Sequence, residues 1–172
     1  MISFGKPPLV LLSDNDFSNW VAKTLDGAFS IVELQKDLDQ RQPKLEALRN
    51  YMRQQPTGLV VALGMILNDS VERDFRAHAA IMNFIGFFVK EKGSASKLKL
   101  LMPSFPTKPN AALYAALTGS IESFARIYNQ HASSVINILP LALPIEQVSE
   151  TTKLPELFNE KIISCVGLMK HN

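Results

Sequence analysis

One cysteine, Cys165, stands in a chain of 172 residues. A single thiol can close no intrachain disulfide and can build no multi-cysteine metal site, so the core alone must hold the fold, and a reducing, cytoplasmic setting is expected. Charge of one sign is equally scarce. Eighteen Lys and Arg against sixteen Asp and Glu leave a formal net charge of +2. The basic residues are scattered, which excludes the basic face of a nucleic-acid binder. Long apolar runs are missing too: the most apolar segment, Ala79 to Val89, contains Asn83, is bounded by His78 and Lys90, and is too short to span a bilayer. The opening Met1-Ile2-Ser3-Phe4-Gly5-Lys6-Pro7-Pro8 has neither the charged nor the apolar region of a signal peptide, so export is not expected. Internal repeats and low-complexity stretches are absent.

What is present is apolar content of 47%, enough over this length for one sizeable core and a single domain spanning 1–172. Leu9 to Leu12 is an unbroken apolar run after two prolines, the pattern of a strand buried on both faces. Ser13 and Asp14 can cap a helix through Asn15 to Leu25 that turns Phe17, Val21 and Leu25 inward. Phe29 to Leu34 reads as a second strand. A helix follows from Pro43 to Gln55, with Leu45, Leu48, Tyr51 and Met52 as its apolar face. Leu59 to Leu63 is a third buried strand, ending at Gly64. A long helix is expected from about Ser70 to Lys92, amphipathic through Val71 and Phe75, then apolar nearly all round and buried on both sides. Leu98 to Met102 gives a fourth strand, followed by a proline-rich loop from Pro103 to Asn110.

The stretch from Pro109 to Pro140 then joins a small-residue helix, 110–130, to a fifth strand, Val135 to Leu139, which the proline is expected to end. In that helix Leu113, Leu117, Ile121, Phe124 and Tyr128 form an apolar stripe, while Ala112, Ala116, Gly119 and Ser123 form a small one that another backbone could approach. Leu141 to Lys153 reads as a tail or loop. Leu154 to Met169 reads as a last helix with Leu157, Phe158, Ile162 and Val166 inward. Strands and helices alternating in this way predict a three-layer Rossmann-like α/β fold, a parallel sheet of five strands with helices on both faces.

Residues at the carboxyl ends of such strands are where ligands bind. There, between Gly58 and Pro140, the chain resembles the short-chain dehydrogenase/reductase (SDR) family. Val61-Ala62-Leu63-Gly64 stands in the place of that family's Asn-Asn-Ala-Gly turn, and Asn83-Phe84-Ile85-Gly86-Phe87-Phe88 is similar to its Asn-x-x-Gly-x-Phe helix. Ser104 ends the strand where the family keeps its catalytic serine. Tyr114 stands in the place of the family tyrosine, and Val135-Ile136-Asn137-Ile138-Leu139-Pro140 looks like its Val-Asn-x-x-x-Pro strand. The resemblance implies an NAD(P)-dependent oxidoreductase in which Tyr114 donates a proton, Ser104 orients a carbonyl and Asn83 holds a water.

The departures from that pattern bear on function. The family binds the cofactor pyrophosphate with a Thr-Gly-x-x-x-Gly-x-Gly loop, because glycine lets the backbone reach the phosphates at a helix N-terminus. Here the segment is Ser13-Asp14-Asn15-Asp16-Phe17-Ser18-Asn19-Trp20, without glycine and with two carboxylates that repel a diphosphate. In Tyr114-Ala115-Ala116-Leu117-Thr118, Thr118 replaces the lysine of the family's Tyr-x-x-x-Lys. Without that cation a phenol of ordinary pKa about 10 is a poor acid-base catalyst near neutrality. A strand-helix unit is also missing before Val60. The expectation is a non-catalytic pseudoenzyme with no NAD or NADP bound, in which Asn83, Ser104 and Tyr114 are vestigial positions serving the core.

Other chemistry is weaker still. His78 and His131 are unaccompanied and expected at the surface or at helix ends rather than on a metal. Asp14 and Asp16 resemble the acidic pair of a receiver domain, but the third strand ends in Leu63-Gly64 instead of a phosphorylatable aspartate, and Pro140-Leu141 stands where a lysine should follow the fifth strand. Association is the firmer expectation. The SDR resemblance implies a homodimer, or a heterodimer with an SDR-like relative, through helices 70–92 and 110–130. Independently, the apolar surface of Ala79 to Val89 exceeds what one sheet face covers. Neither a nucleic acid nor a membrane is expected as a partner.

Overall fold

The structure is a computed structural model and describes residues 6–12, 18, 19, 22, 23, 27–34, 43–55, 58–66, 70–91, 97–104, 111–131 and 135–142. The five strands are β1 (Pro8–Leu11), β2 (Ser30–Glu33), β3 (Leu59–Leu63), β4 (Lys97–Ser104) and β5 (Val135–Ala142). The described helices are α1 (Pro43–Gln54), α2 (Val71–Glu91) and α3 (Ala111–His131). All strand pairs are parallel, in the order β2-β1-β3-β4-β5. This is the three-layer, Rossmann-like α/β sheet that the alternation of elements predicts. Its order is that of doubly wound sheets of the flavodoxin kind. It is also what a 3-2-1-4-5-6 sheet becomes when the third strand-helix unit is removed, so the receiver-like and short-chain resemblances predict the same arrangement.

The order fixes the layers. Only the β1–β2 connection steps toward the β2 edge; the other three step the opposite way, and right-handed crossovers therefore put it on the opposite face. Ser18 and Ala22, one turn apart with helical backbone, are buried there. On the other face α1, α2 and α3 cover Val10, Val32, Val60, Ala62, Leu98, Leu100 and Ile136. Buried Leu9, Leu11, Val61, Leu63 and Leu101 alternate with these residues and point the other way. Strands sealed on both faces need unbroken aliphatic runs, which is why β3 was legible to the residue.

Local chemistry places the helices. Pro43 opens α1, with Glu46 in its first turn and Arg53 in its last, each charge favourably set against the helix dipole. Leu48 and Met52 are buried, with Leu45 and Tyr51 packed beside them. Ser70 caps α2, its Oγ accepting the Arg73 N–H at 3.2 Å. At the far end Glu91 meets Arg49 Nε at 3.4 Å and Arg53 at 3.3 Å, and the Arg49 guanidinium lies 5.4 Å from the Phe87 ring centroid. The Tyr51 hydroxyl donates to the Leu59 carbonyl at 3.2 Å, and burial raises its pKa. A raised folded pKa leaves Tyr51's contribution intact below about pH 10 and loses it as pH climbs past that value. Tyr51→Phe is therefore expected to cost about 1 kcal/mol at neutral pH and to flatten the alkaline limb of stability, measured by urea midpoints across pH 8–11.

Four expectations need correction. Val71 and Phe75 are not an inward face; each is 51% exposed. The inward line instead runs through Asp74, Ile81 and Phe88, seven residues apart, and Asp74 is only 1% exposed. The segment Ala79 to Val89 is buried on one side alone: Ile81, Phe84, Ile85 and Phe88 face the core, while Ala79, Asn83 and Gly86 are exposed. In α3 the buried line is Leu117, Ile121 and Ala125, and Phe124 lies outside it, 37% exposed. Finally, Pro140 does not stop β5, which continues to Ala142, and Pro103 and Ser104 belong to β4 rather than to the following loop. A proline is tolerated in an edge strand when its missing N–H faces away from the sheet. Most of the helix expected over 15–25, and the tail and helix expected over 143–172, lie outside the described residues.

Candidate functional site

In a doubly wound sheet the crevice for a ligand opens where strand order reverses, here between the carboxyl ends of β1 and β3. The described residues beside that position pack onto the protein itself. Leu12 N–H donates to Leu63 O at 3.0 Å and Gly64 N–H to Leu101 O at 3.0 Å, so the ladder runs one residue past each strand. Beyond Gly64, Met65 and Ile66 are buried. A Cβ on Gly64 would lie 2.6 Å from Ile81 Cγ1 and 2.8 Å from Ile81 Cδ1. The glycine therefore admits the side chain of α2 against the strand end, a packing reason for its small size. The opposite lip, 13–17 with Asp14 and Asp16, lies outside the described residues.

Of the three residues carried over by resemblance, Asn83 and Tyr114 lie apart along their helices. Tyr114 is half-buried near the start of α3 and packs against the core. Thr118 donates its hydroxyl to Tyr114 O at 2.8 Å, with Ala115 O at 3.4 Å, a bond turned back into its own helix. Ser104 is the last residue of β4, in register with Ala142. Asn83 is exposed on the outer side of α2. The two helices are registered by His78 Nε2 and Ser120 Oγ, 2.7 Å apart. Asn83 lies five residues past that point and Tyr114 six before it, which at 1.5 Å per residue separates them by about 16 Å along the helices. Among the described residues no hydrogen bond joins Asn83 to Tyr114, and no three His, Cys, Asp or Glu side chains cluster.

The His78–Ser120 contact was not visible from the sequence, which placed His78 at a surface or helix end. Ser120 donates to Leu117 O at 2.8 Å, and the hydrogen bond between its Oγ and the half-buried His78 imidazole ties α2 to α3. His131 is the exposed last residue of α3.

Above this contact lies an unusual surface. Phe75, Ala79, Met82 and Gly86 fall on one line of α2, and Ala112, Ala116, Gly119, Ser123 and Ile127 on one line of α3. Ile127 is 56% exposed. From Ala77 to Val89 and from Ala111 to Ile121 no Asp, Glu, Lys or Arg occurs. Among the described residues a Cβ on Gly86 or Gly119 would meet nothing within 4 Å, so neither glycine is required by packing against them. A groove of about 450 Å³ lies to one side, between Glu122, Arg126 and Asn129 of α3 and the strand residues Ile136 to Leu139.

Comparison with protein-family models, curated proteins and solved structures finds no match. The class defined by the coordinates is the Rossmann-like three-layer α/β domain. Among the described residues no helix is long and apolar enough to cross a membrane.

Proposed function

We propose that the chain is a non-catalytic, SDR-like module of the cytoplasm that has lost dinucleotide binding and works by association, its interface being the outer face of α2 and α3. The observation that carries this reading is the absence of charge on that face together with glycines at 86 and 119 whose Cβ positions are open. A mid-helix glycine costs about 1 kcal/mol relative to alanine, and nothing among the described residues offsets that cost here; close approach of another backbone would. Protein surfaces are ordinarily about a quarter to a third charged, so an uncharged strip on two adjacent helices behaves as a covered one.

The partner is a second copy. A two-fold axis sets each patch against its own image, and a patch without charge meets no like-charge repulsion in that arrangement. The uncharged stretches run about 20 Å along α2 and about 17 Å along α3, on helices about 8–10 Å apart, and form the centre of an interface whose rim takes in the charged ends of both helices. Loss of the cofactor site is supported by Ile81 packed onto Gly64 and by the inward-turned Thr118 hydroxyl. Titration with NAD, NADH, NADP and NADPH is expected to give no binding at micromolar concentrations; micromolar affinity for any one would overturn the non-catalytic half of the reading. Sedimentation over 1–100 µM is expected to show a dimer. A clean monomer would overturn the other half, and a complex formed only with a different chain would replace the second copy.

A further inference from the structure

β5 is the edge of the sheet on the described residues, and its eight residues would be a long free edge of the kind on which other strands add. The backbone direction along it follows from its neighbours. Lys97 N–H donates to Gly58 O and Leu101 O accepts from Gly64 N–H, so the odd residues of β4 serve β3 and the even ones serve β5. In a parallel ladder the residue in register with a bonding one points away. Leu98 is in register with Ile136, Leu100 with Ile138, Met102 with Pro140 and Ser104 with Ala142, so these four residues of β5 present their backbone groups outward, Ala142 at the very end of the strand.

Each outward position has its own chemistry. At Ile136 both groups are taken by one side chain: Asn129 Oδ1 accepts the Ile136 N–H at 2.8 Å and Asn129 Nδ2 donates to the Ile136 carbonyl at 2.7 Å. The Asn129 amide supplies the one acceptor and one donor that an added strand would offer Ile136 from two of its peptide groups, so it occupies the place the next strand's backbone would take. At Pro140 no N–H exists. Ile138 is left between them, with one donor and one acceptor and a blocked position on either side.

We infer that Asn129 is an edge plug: together with Pro140 it closes β5 to strand addition by another copy of this chain, and so denies the sheet edge as an association surface. This stands apart from the proposed function, because it concerns a different surface and open-ended growth rather than a closed dimer. It also gives the polar residue in the groove a role that ligand binding does not require.

The test uses the full chain. Asn129→Ala is expected to produce assemblies that grow beyond the wild-type size, with a light-scattering rate at least tenfold higher at equal concentration. Ile138→Pro added to it removes the one outward N–H left between the plug and Pro140 without touching the β4 ladder, and is expected to return the rate to within about threefold of wild type. The rescue separates plugging from simple destabilisation, since replacing the half-buried Ile138 weakens the fold further and would accelerate aggregation of an unfolding origin. An Asn129→Ala protein that keeps wild-type size, or a double variant that aggregates faster than the single one, overturns the inference. Should Asn129→Ala not fold, amide exchange in the wild-type chain decides: the Ile136 N–H is expected to exchange at least tenfold more slowly than the Ile138 N–H, and equal protection of both would show that the edge is already covered by a strand.

Discussion

Ala79→Glu is expected to weaken the proposed dimer by at least about 100-fold while leaving the monomer fold intact. Ala79 is exposed on the outer line of α2, where a surface substitution ordinarily changes stability by no more than about 0.5 kcal/mol. In a two-fold interface the same change sets two carboxylates per dimer into a strip with no Lys or Arg between Ala77 and Val89 or between Ala111 and Ile121, the neighbouring Arg76 being already paired with Glu72 at 2.6 Å. Burying an unpaired charge costs several kcal/mol, and each 1.4 kcal/mol is a factor of ten in Kd. Gly86→Ala separates association from folding by sign. It is expected to raise monomer stability by about 0.5–1 kcal/mol, because alanine is the better helix former and its Cβ enters open space. It should also weaken the dimer by crowding the facing helix. Sedimentation equilibrium across concentrations, with urea midpoints taken where both proteins are monomeric, reads the two effects independently. A charge variant with the mass distribution of the wild type would show that the face is solvent-exposed in the working protein.

Much of the fold was written in short-range pattern, and the exceptions share a cause. Aliphatic runs flanked by proline and glycine gave the positions of β1 and β3, and α1 followed from Pro43 and the spacing of Leu48 and Met52. The face of α2 was misread because hydropathy ranks Val71 and Phe75 above Asp74. A seven-residue step back from Phe88 through Ile81 lands on Asp74, and that spacing is the signal that could have corrected it. Pro140 was read as a stop because sequence alone does not say which side of a strand its missing donor faces. The site was legible only as residue types in order. That Asn83 and Tyr114 lie far apart along parallel helices, that His78 meets Ser120, and that the Asn129 amide completes Ile136 all depend on helix register. Helix register is set by core packing between residues distant in sequence.

Gly64→Ala and Ile81→Ala should fail to add. Alone, Gly64→Ala places a methyl group within 3 Å of two Ile81 atoms at a point where the backbone is held by the Gly64 N–H to Leu101 O bond. Such overpacking costs about 1–3 kcal/mol, and the upper part of that range applies because Ile81 is fully buried and has no room to turn. Ile81→Ala alone leaves a void and costs about 2–5 kcal/mol. Together, the new methyl at position 64 enters the space that Ile81 vacates. The double variant is therefore expected to be more stable than the sum of the single losses by at least about 1 kcal/mol, a coupling of the size seen between residues in contact. Urea denaturation of the four proteins of the cycle measures it directly. Strict additivity would mean that the glycine is small for another reason, such as the approach of a ligand. The coupling would mean that the glycine at the carboxyl end of β3 is held for the helix behind it.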